Sequence, residues 1–123
     1  MPIPGELELP FPPSLNRYYR TVGGRMLISQ RGRWYREEVA LVCIQQEAKR
    51  VSGRVKVRIV AHPPDNRVRD LDNLMKATLD ALKHAGVYED DGHIDLLIVK
   101  RGKPMGGGKL FVLIAPMSED DFA

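Results

Sequence analysis

The chain has 123 residues, of which 43% are hydrophobic and 28% are charged, and its formal net charge is +3. This length suits one domain with a single hydrophobic core, and this composition excludes a disordered or fibrous protein. The charge is uneven, because eleven of the 19 Lys and Arg residues but only five of the 16 Asp and Glu residues lie in residues 1–60. A basic half joined to an acidic half suits a protein that holds a polyanion with one surface and gathers cations at another, although solvated faces of unequal sign would give the same pattern.

The first half of the chain predicts two short strands and a long helix. Residues 5–9 alternate apolar and charged side chains as a half-buried strand does, and the prolines that follow end this strand because proline has no N–H to donate. A second short strand is predicted over 25–29, after which the segment SQRGRW turns the chain. Residues 33–51 carry apolar side chains at helical spacing, and Ser52 and Gly53 end this helix.

The second half predicts three strands and one helix. The clearest strand is 54–62, since its side chains alternate strictly between two faces. Residues 63–68 combine turn-forming residues with charge, which predicts a mobile loop, and an amphipathic helix follows over 71–85. Two more strands, 94–101 and 109–116, are joined by GKPMGGG, which we interpret as a flexible hairpin connection.

The element order β-β-α-β-α-β-β predicts an α+β fold in which two helices pack on one face of a mixed sheet. We expect one domain over residues 1–123, with 117–123 as a frayed tail. The single cysteine, Cys43, lies in an apolar run, which indicates a buried thiol and a reducing compartment. The chain shows neither a secretory signal pattern nor an apolar run of about 18 residues, so we expect a cytoplasmic protein that does not bind membranes.

Acidic residues flank the second predicted helix, within RDLDNLMKATLDALKHAGVYEDDGHID. Asp70 is expected at the N-cap and Asp72 in the first turn, where capping and dipole compensation would explain either residue alone. A cap residue leaves helical geometry, so both carboxylates could also converge on one ion. The second pair, Asp90 and Asp91, lies in YEDDGH, where a polar turn is the alternative interpretation.

The topology decides whether the two acidic pairs can meet. If strand 94–101 runs parallel to strand 54–62 through a helical crossover, the pairs are expected at opposite ends of the strands and stay separate. Convergence then requires an antiparallel or irregular return of the chain, or a contribution from a second subunit. The sequence leaves these alternatives open.

Converging carboxylates would need a cation, because two of them about 5 Å apart repel by roughly 3 kcal/mol at an effective dielectric constant of about 20. Oxygen ligands favour Mg²⁺ or Mn²⁺. The chain has few histidines and no CxxC motif, which argues against a zinc site. A carboxylate-bound Mg²⁺ can activate water, while Lys76, four residues after Asp72, can offset phosphate charge. The pattern therefore favours nuclease chemistry.

The same residues carry a family resemblance. RDLDNLMKATLDALKHAGVYEDD resembles the core of the RusA family of Holliday-junction resolvases, and PPSLNRYYR and SQRGRWYREEV match that family in the same order and at similar spacing. The resemblance covers roughly residues 7–116. It implies that Asp70, Asp72 and Asp91 bind the catalytic Mg²⁺, with Mn²⁺ as an alternative, and that Lys76 is the essential lysine. Asp90 and Asn73 are further candidates at the metal or beside its ligands.

The resemblance also implies what the enzyme does. We expect a homodimer that cuts four-way junction DNA by paired nicks in opposing strands, with one acidic cluster per subunit near the DNA-binding face. Replacing one catalytic residue should then abolish cutting more than binding. A less selective flap or fork endonuclease is the alternative within enzymes, and a non-catalytic branched-DNA-binding protein is the alternative outside them. The segment GKPMGGGK fails the GxxxxGK[ST] register of a phosphate-binding loop.

Basic and aromatic residues supply candidate DNA contacts. Arg69 could position the DNA backbone or only pair with a neighbouring aspartate. Tyr18 and Tyr19 could stack on unpaired bases, although a core role is the more common use of such residues, and Trp34 suits either role. The predicted DNA-binding residues are Arg17, Arg20, Arg31, Arg33, Arg69 and Lys76.

Overall fold

A computed structural model describes residues 5–118 and 121. The strands and helices, in chain order, are β1 (Glu6–Pro10), α1 (Leu15–Tyr18), β2 (Tyr19–Val22), β3 (Arg25–Ile28), α2 (Gln30–Gln45), β4 (Val55–His62), α3 (Asp72–His84), β5 (Ile94–Arg101) and β6 (Lys109–Pro116). No helix in this part of the chain combines the length and apolarity needed to cross a bilayer.

A mixed four-stranded sheet in the order β1-β6-β4-β5 forms the centre of the fold. β4 runs antiparallel to β6 and parallel to β5, and β1 adds to the other edge of β6. Every second residue of β4, from Val55 to Ala61, is at most 1% exposed and joins a core shared with α2 and α3. The predicted α+β class is therefore confirmed, and the apolar face of β4 is the reason that both helices pack against it.

The N-terminal half contains more structure than the sequence predicted. The prediction missed the short helix α1 and the strand β2. β3 lies within the predicted strand 25–29, but it pairs only with β2, in a separate two-stranded hairpin. Gly23 and Gly24 have φ angles of 58° and 76°, which a two-residue turn of this kind requires at both central positions.

Helix α2 differs from its predicted bounds at both ends. SQRGRW does not form a turn, because Ser29 caps the helix by accepting a hydrogen bond from the Gly32 N–H at 3.0 Å. The helix ends at Gln45 and does not reach residue 51. Glu47 adopts a left-handed φ of 55°, and the Ala48 N–H donates to the Cys43 carbonyl at 2.8 Å, which closes the last turn. Cys43 itself is buried, as predicted.

The glycine-rich connection between β5 and β6 is not a hairpin, because β4 lies between these two strands. The connection instead crosses the C-terminal end of β4, where the Gly102 N–H donates to the Ala61 carbonyl at 2.8 Å. Glycine is required where the chain passes closely over other residues. A Cβ atom on Gly102 would lie 2.3 Å from the His62 ring, and one on Gly108 would lie 2.8 Å from the Phe11 Cβ.

The predicted tail, residues 117–123, falls partly outside the described residues, at 119, 120, 122 and 123. Within the described part, the Met117 N–H donates to the Arg54 carbonyl at 3.1 Å. Lys56 and Asp121 form an ion pair at 2.8 Å.

Candidate active site and nucleic-acid interface

Asp70 and Asp72 lie where the loop after β4 joins α3. The helix begins at Asp72, the preceding Leu71 already has helical backbone angles, and no side chain caps the helix. The expected N-cap position of Asp70 is therefore wrong, because Leu71 occupies it. The Asp70 carbonyl accepts the Asn73 N–H at 3.2 Å, and the Asp70 carboxylate does not cap the helix. Capping does not explain Asp70, and both exposed carboxylates can face a ligand.

Lys76 lies one helical turn after Asp72 and is exposed to solvent. Residues four apart share one face of a helix, so Asp72, Lys76 and Asp80 form a charged stripe along α3. Burial acts to raise the pKa of Asp80 and of Asp91, and the positive charge of Lys76 opposes that effect at both carboxylates. Lys76 therefore interacts electrostatically with Asp91, a member of the second acidic pair.

Asp91 occupies a 3₁₀ turn, Asp91–His93, directly before β5. Its Oδ1 atom is buried and has no hydrogen-bond partner among residues 5–118 and 121, although the nearby Tyr88 hydroxyl acts to lower the pKa of this carboxyl group. Burial raises the pKa of Asp91 above its ordinary value, against the opposing charges of Lys76 and Lys83. A buried carboxylate oxygen without a partner is costly, and a cation is one of the few groups that can satisfy it. Asp90 differs, because Lys83 pairs with it at 3.3 Å and lowers its pKa.

The two acidic pairs lie at the ends of a simple parallel crossover. β4 and β5 are parallel and α3 connects them, which is the arrangement expected to separate the pairs. Among residues 5–118 and 121, no three His, Cys, Asp or Glu side chains lie close enough together to hold a metal ion. The described part of a single chain therefore does not assemble the three carboxylates, and their role as metal ligands stays a prediction.

A large open groove lies beside the start of α3. We name it the arginine groove; its volume is about 640 Å³. Its walls come from the β1–α1 connection, one face of α2 and the loop after β4. Trp34 is its most exposed aromatic residue, with 60% of its surface accessible. The charged and aromatic residues that line it are Phe11, Arg17, Arg31, Trp34, Tyr35, Glu38, Arg67 and Arg69.

The arginine groove continues toward the acidic residues. An adjoining cavity of about 280 Å³ is lined by Asp70 and Asn73, and it shares Phe11 and Arg69, among other residues, with the arginine groove. The shared wall makes the two cavities neighbours.

Comparison with known proteins decides the family. The family model described as endodeoxyribonuclease RusA matches residues 10–114. This chain belongs to the RusA family. The match contains every residue assigned to the site above, from Phe11 to Asp91, and the family predicted from the sequence is confirmed.

Relatives in bacteria and their phages match this chain over nearly their whole length. A crossover junction endodeoxyribonuclease RusA of Escherichia coli (strain K12) is 42% identical over 116 residues, which are 93% of this chain and 96% of the relative. Proteins of the same name from Enterobacteria phages 82 and HK97 are 43% and 41% identical, covering 96% and 94% of their own lengths. The chain is therefore similar to complete relatives and not to one segment of them.

The predicted DNA-binding arginines of this chain divide into two groups. Arg17, Arg31 and Arg69 line the arginine groove. Arg20 is exposed on β2, and the Arg33 guanidinium donates to the Ile28 carbonyl at 3.0 Å. Arg69 does pair with a neighbouring aspartate, Asp65, at 2.7 Å, and its guanidinium also lies 5.8 Å from the centre of the Phe11 ring.

A buried polar network was missed by the sequence reasoning. Tyr18 is fully buried, so its core role is confirmed, and its hydroxyl donates to the Asp80 carboxylate. Arg36 donates to the same carboxylate from Nε at 3.0 Å and pairs with it through a terminal nitrogen at 2.5 Å. Burial alone would raise the pKa of Asp80, but these hydrogen bonds outweigh burial and hold it below its ordinary value. The sequence signal that could have indicated this network is the position of Asp80, eight residues after Asp72 on the same helical face.

Proposed function

We propose that this RusA-family protein is a Mg²⁺-dependent endodeoxyribonuclease that resolves four-way DNA junctions by paired symmetric nicks, in DNA recombination and repair. The observation that carries the proposal is that a basic groove and an acidic residue of the predicted metal site lie next to each other. The arginine groove, suited to a phosphate backbone, opens beside Asp70 at the start of α3, within a chain that belongs to a family of endodeoxyribonucleases.

The residues present fit a divalent cation in their chemistry. Asp70, Asp72 and Asp91 offer only oxygen donors, and the buried Oδ1 of Asp91 has no partner among the described residues. These three residues would hold Mg²⁺, and Mn²⁺ could replace it. When bound, the cation supplies activation of water and polarisation of the scissile phosphate.

The chain's own residues then position the DNA and balance charge. Arg69, held by Asp65 and Phe11, faces the passage between the two cavities and would orient the phosphate backbone. Lys76, exposed one turn into α3, would neutralise a nonbridging oxygen or the leaving oxygen as negative charge develops there. Asn73 borders the same cavity as Asp70 and would contact the backbone or a metal ligand.

Paired nicks need two active sites, so the proposal includes a homodimer. β5 is one of the two edge strands of the sheet, and its neighbouring residues Leu97 and Ile98, which point to opposite faces, are 39% and 43% exposed. An edge strand with apolar side chains on both faces offers unpaired backbone groups to another strand. Two copies of β5 related by a two-fold axis could pair antiparallel and cover this edge.

The first test is cleavage of a synthetic four-way junction in the presence of Mg²⁺, with binding measured in parallel. We expect symmetric nicks from the wild type, and we expect Asp72→Asn to bind the junction without cutting it. Flap and fork substrates of matched length provide the selectivity control. Equal cutting of all three substrates would favour a less selective endonuclease, and binding by the wild type without Mg²⁺-dependent cutting would contradict the catalytic proposal.

A further inference from the structure

The arginine groove contains an aromatic platform at its centre. Trp34 is the only tryptophan of the chain, and its indole is 60% exposed beside the arginines. Arg31, Trp34 and Glu38 lie at spacings of three and four residues, so they project from one face of α2 into the groove. An exposed indole flanked by cations is the arrangement with which proteins hold unpaired bases and their phosphates.

The charge distribution on α2 also indicates an anionic ligand. Arg31 lies in the first turn of this 16-residue helix, and that turn contains no acidic residue. Positive side chains at a helix N-terminus oppose the helix dipole and reduce stability, so this placement has a cost without a bound anion. Both the dipole and Arg31 would attract a phosphate at this end of the groove.

The walls of the groove are held in place before any ligand binds. The buried Tyr35 hydroxyl donates to the Pro10 carbonyl at 2.8 Å, which fixes α2 against the end of β1. On the opposite side, Arg69 is held by Asp65 at 2.7 Å and by the Phe11 ring. Fixed walls reduce the ordering that a ligand would otherwise have to impose.

We propose that the arginine groove binds one unpaired nucleotide of branched DNA, with its base stacked on Trp34 and its flanking phosphates on Arg17 and Arg31. The groove volume, about 640 Å³, lies in the range of sites for ligands of nucleotide size. In an intact duplex both faces of each internal base are covered by neighbouring bases, so Trp34 can stack only on a base that has left the helix. At a branch point the base pairs beside the crossover lack a stacking neighbour on one side, so their bases leave the helix at lower cost than bases inside a duplex. This inference rests on the proposed function for its substrate class.

Because the two cavities adjoin, a nucleotide bound in the arginine groove would affect where its strand lies in the active site. The arginine groove shares Arg69 and Phe11 with the cavity lined by Asp70. A strand with one nucleotide on Trp34 would therefore place a nearby phosphate beside Asp70. The phosphate would then reach Asp70 only when a nucleotide is bound on Trp34, and branched DNA would supply such a nucleotide more readily than a duplex.

The fluorescence of Trp34 tests this directly, because no other tryptophan contributes to the signal. Wild-type protein is titrated in EDTA, where no cleavage is expected, with a four-way junction, a duplex carrying one bulged nucleotide and the matching perfect duplex. We expect strong quenching of Trp34 by the junction and the bulged duplex, and weak quenching by the perfect duplex at equal occupancy. Equal quenching by all three, or binding without quenching, would overturn the proposal.

Variants separate stacking from general loss of binding. We expect Trp34→Ala to weaken binding of the bulged duplex about tenfold while Trp34→Phe retains most of it, because base stacking is the interaction removed. Leu41→Ala, an exposed apolar residue on the same helix, is the matched control and should not change binding. Similar losses on perfect and bulged duplex would contradict a site for an unpaired nucleotide. If the protein binds bulged DNA selectively but does not cleave a junction, the proposed nucleotide site stands and the proposed nuclease function fails.

Discussion

At the scale of single residues, Lys76 offers the clearest separation of chemistry from folding. It is exposed, lies one turn after Asp72 and acts electrostatically on Asp91 from another element. We predict that Lys76→Met lowers the cleavage rate by about 10²–10³-fold, the usual loss when one group that stabilises developing negative charge is removed. Methionine is also a good helix former, so α3 should persist. Single-turnover cleavage of a junction with saturating enzyme measures this effect.

The matched control for this prediction is Lys49→Met. Lys49 is exposed after the end of α2, so removing it deletes an equal charge outside α3 and outside the arginine groove. We expect this variant to cut at close to the wild-type rate. Junction affinity, measured by gel shift without Mg²⁺, should change little in Lys76→Met. A loss of affinity as large as the loss of rate would assign Lys76 to DNA binding and not to catalysis.

Residue types and spacing predict the chemistry of this site better than its geometry. The pairing of Asp70 and Asp72 with Lys76 could be recognised from the sequence because these residues are close along the chain. The buried, unpartnered oxygen of Asp91 could not, since burial depends on how the 3₁₀ turn packs. Trp34 was equally ambiguous, because its exposure depends on neighbours that come from distant segments.

At the scale of elements, Asp80 connects three helices through one carboxylate. Tyr18 ends α1, Arg36 lies in α2, and both donate to Asp80 in α3. We predict that Asp80→Asn lowers the free energy of unfolding near neutral pH by about 2 kcal/mol, because Arg36 loses its charged partner in a partly buried position. Urea denaturation followed by circular dichroism measures the difference.

The pH dependence of this effect has a definite sign. The pKa of Asp80 is lower in the folded protein than in the unfolded chain, so its stabilising contribution is present above the unfolded pKa of about 4 and disappears as the pH falls through the folded pKa. The difference between wild type and Asp80→Asn should therefore shrink toward acid pH. Asp95→Asn, which breaks an exposed pair with Arg54, is the control and should have a smaller effect. A difference that stays constant with pH would contradict an ionised Asp80 network.

Local patterns predicted the elements that have strong periodicity and failed where pairing is nonlocal. The strict alternation in β4 fixed that strand to within one residue, and the apolar stripe of α3 fixed that helix closely. The connection of β5 to β6 was misread as a hairpin because short glycine-rich loops usually join neighbours, whereas β4 separates these strands. The early end of α2 depends on a left-handed Glu47, which residue preference disfavours.

At the scale of the whole molecule, the open edge of β5 bears on whether one chain or two chains supply the carboxylates of an active site. Asp70 lies in one cavity with Arg101 and Gly102, at the C-terminal end of β5. Asp91 precedes the other end of the same strand, and the eight residues of β5 span roughly 23 Å from first to last. In an antiparallel pairing of two β5 strands, the start of one strand lies beside the end of the other. A second copy would then bring its own Asp91 carboxylate toward Asp70 and Asp72 of the first copy. This is the arrangement in which a second subunit completes the metal site.

We therefore predict that mixing two inactive variants restores cutting. In a 1:1 mixture of Asp72→Asn and Asp91→Asn refolded together, about half of the dimers contain one copy of each variant. If each active site takes Asp72 from one copy and Asp91 from the other, every such dimer has one intact site, so roughly a quarter of the wild-type nicking should return, as single nicks and not as paired nicks. Nicking of a labelled junction, with each variant alone as the baseline, measures the restored activity. Leu97→Lys placed in both variants should remove the restored activity and shift sedimentation toward the monomer, because it puts a charge on the apolar edge strand. A mixture as inactive as its components, in samples that sediment as dimers, would show that each active site is built within one copy of the chain.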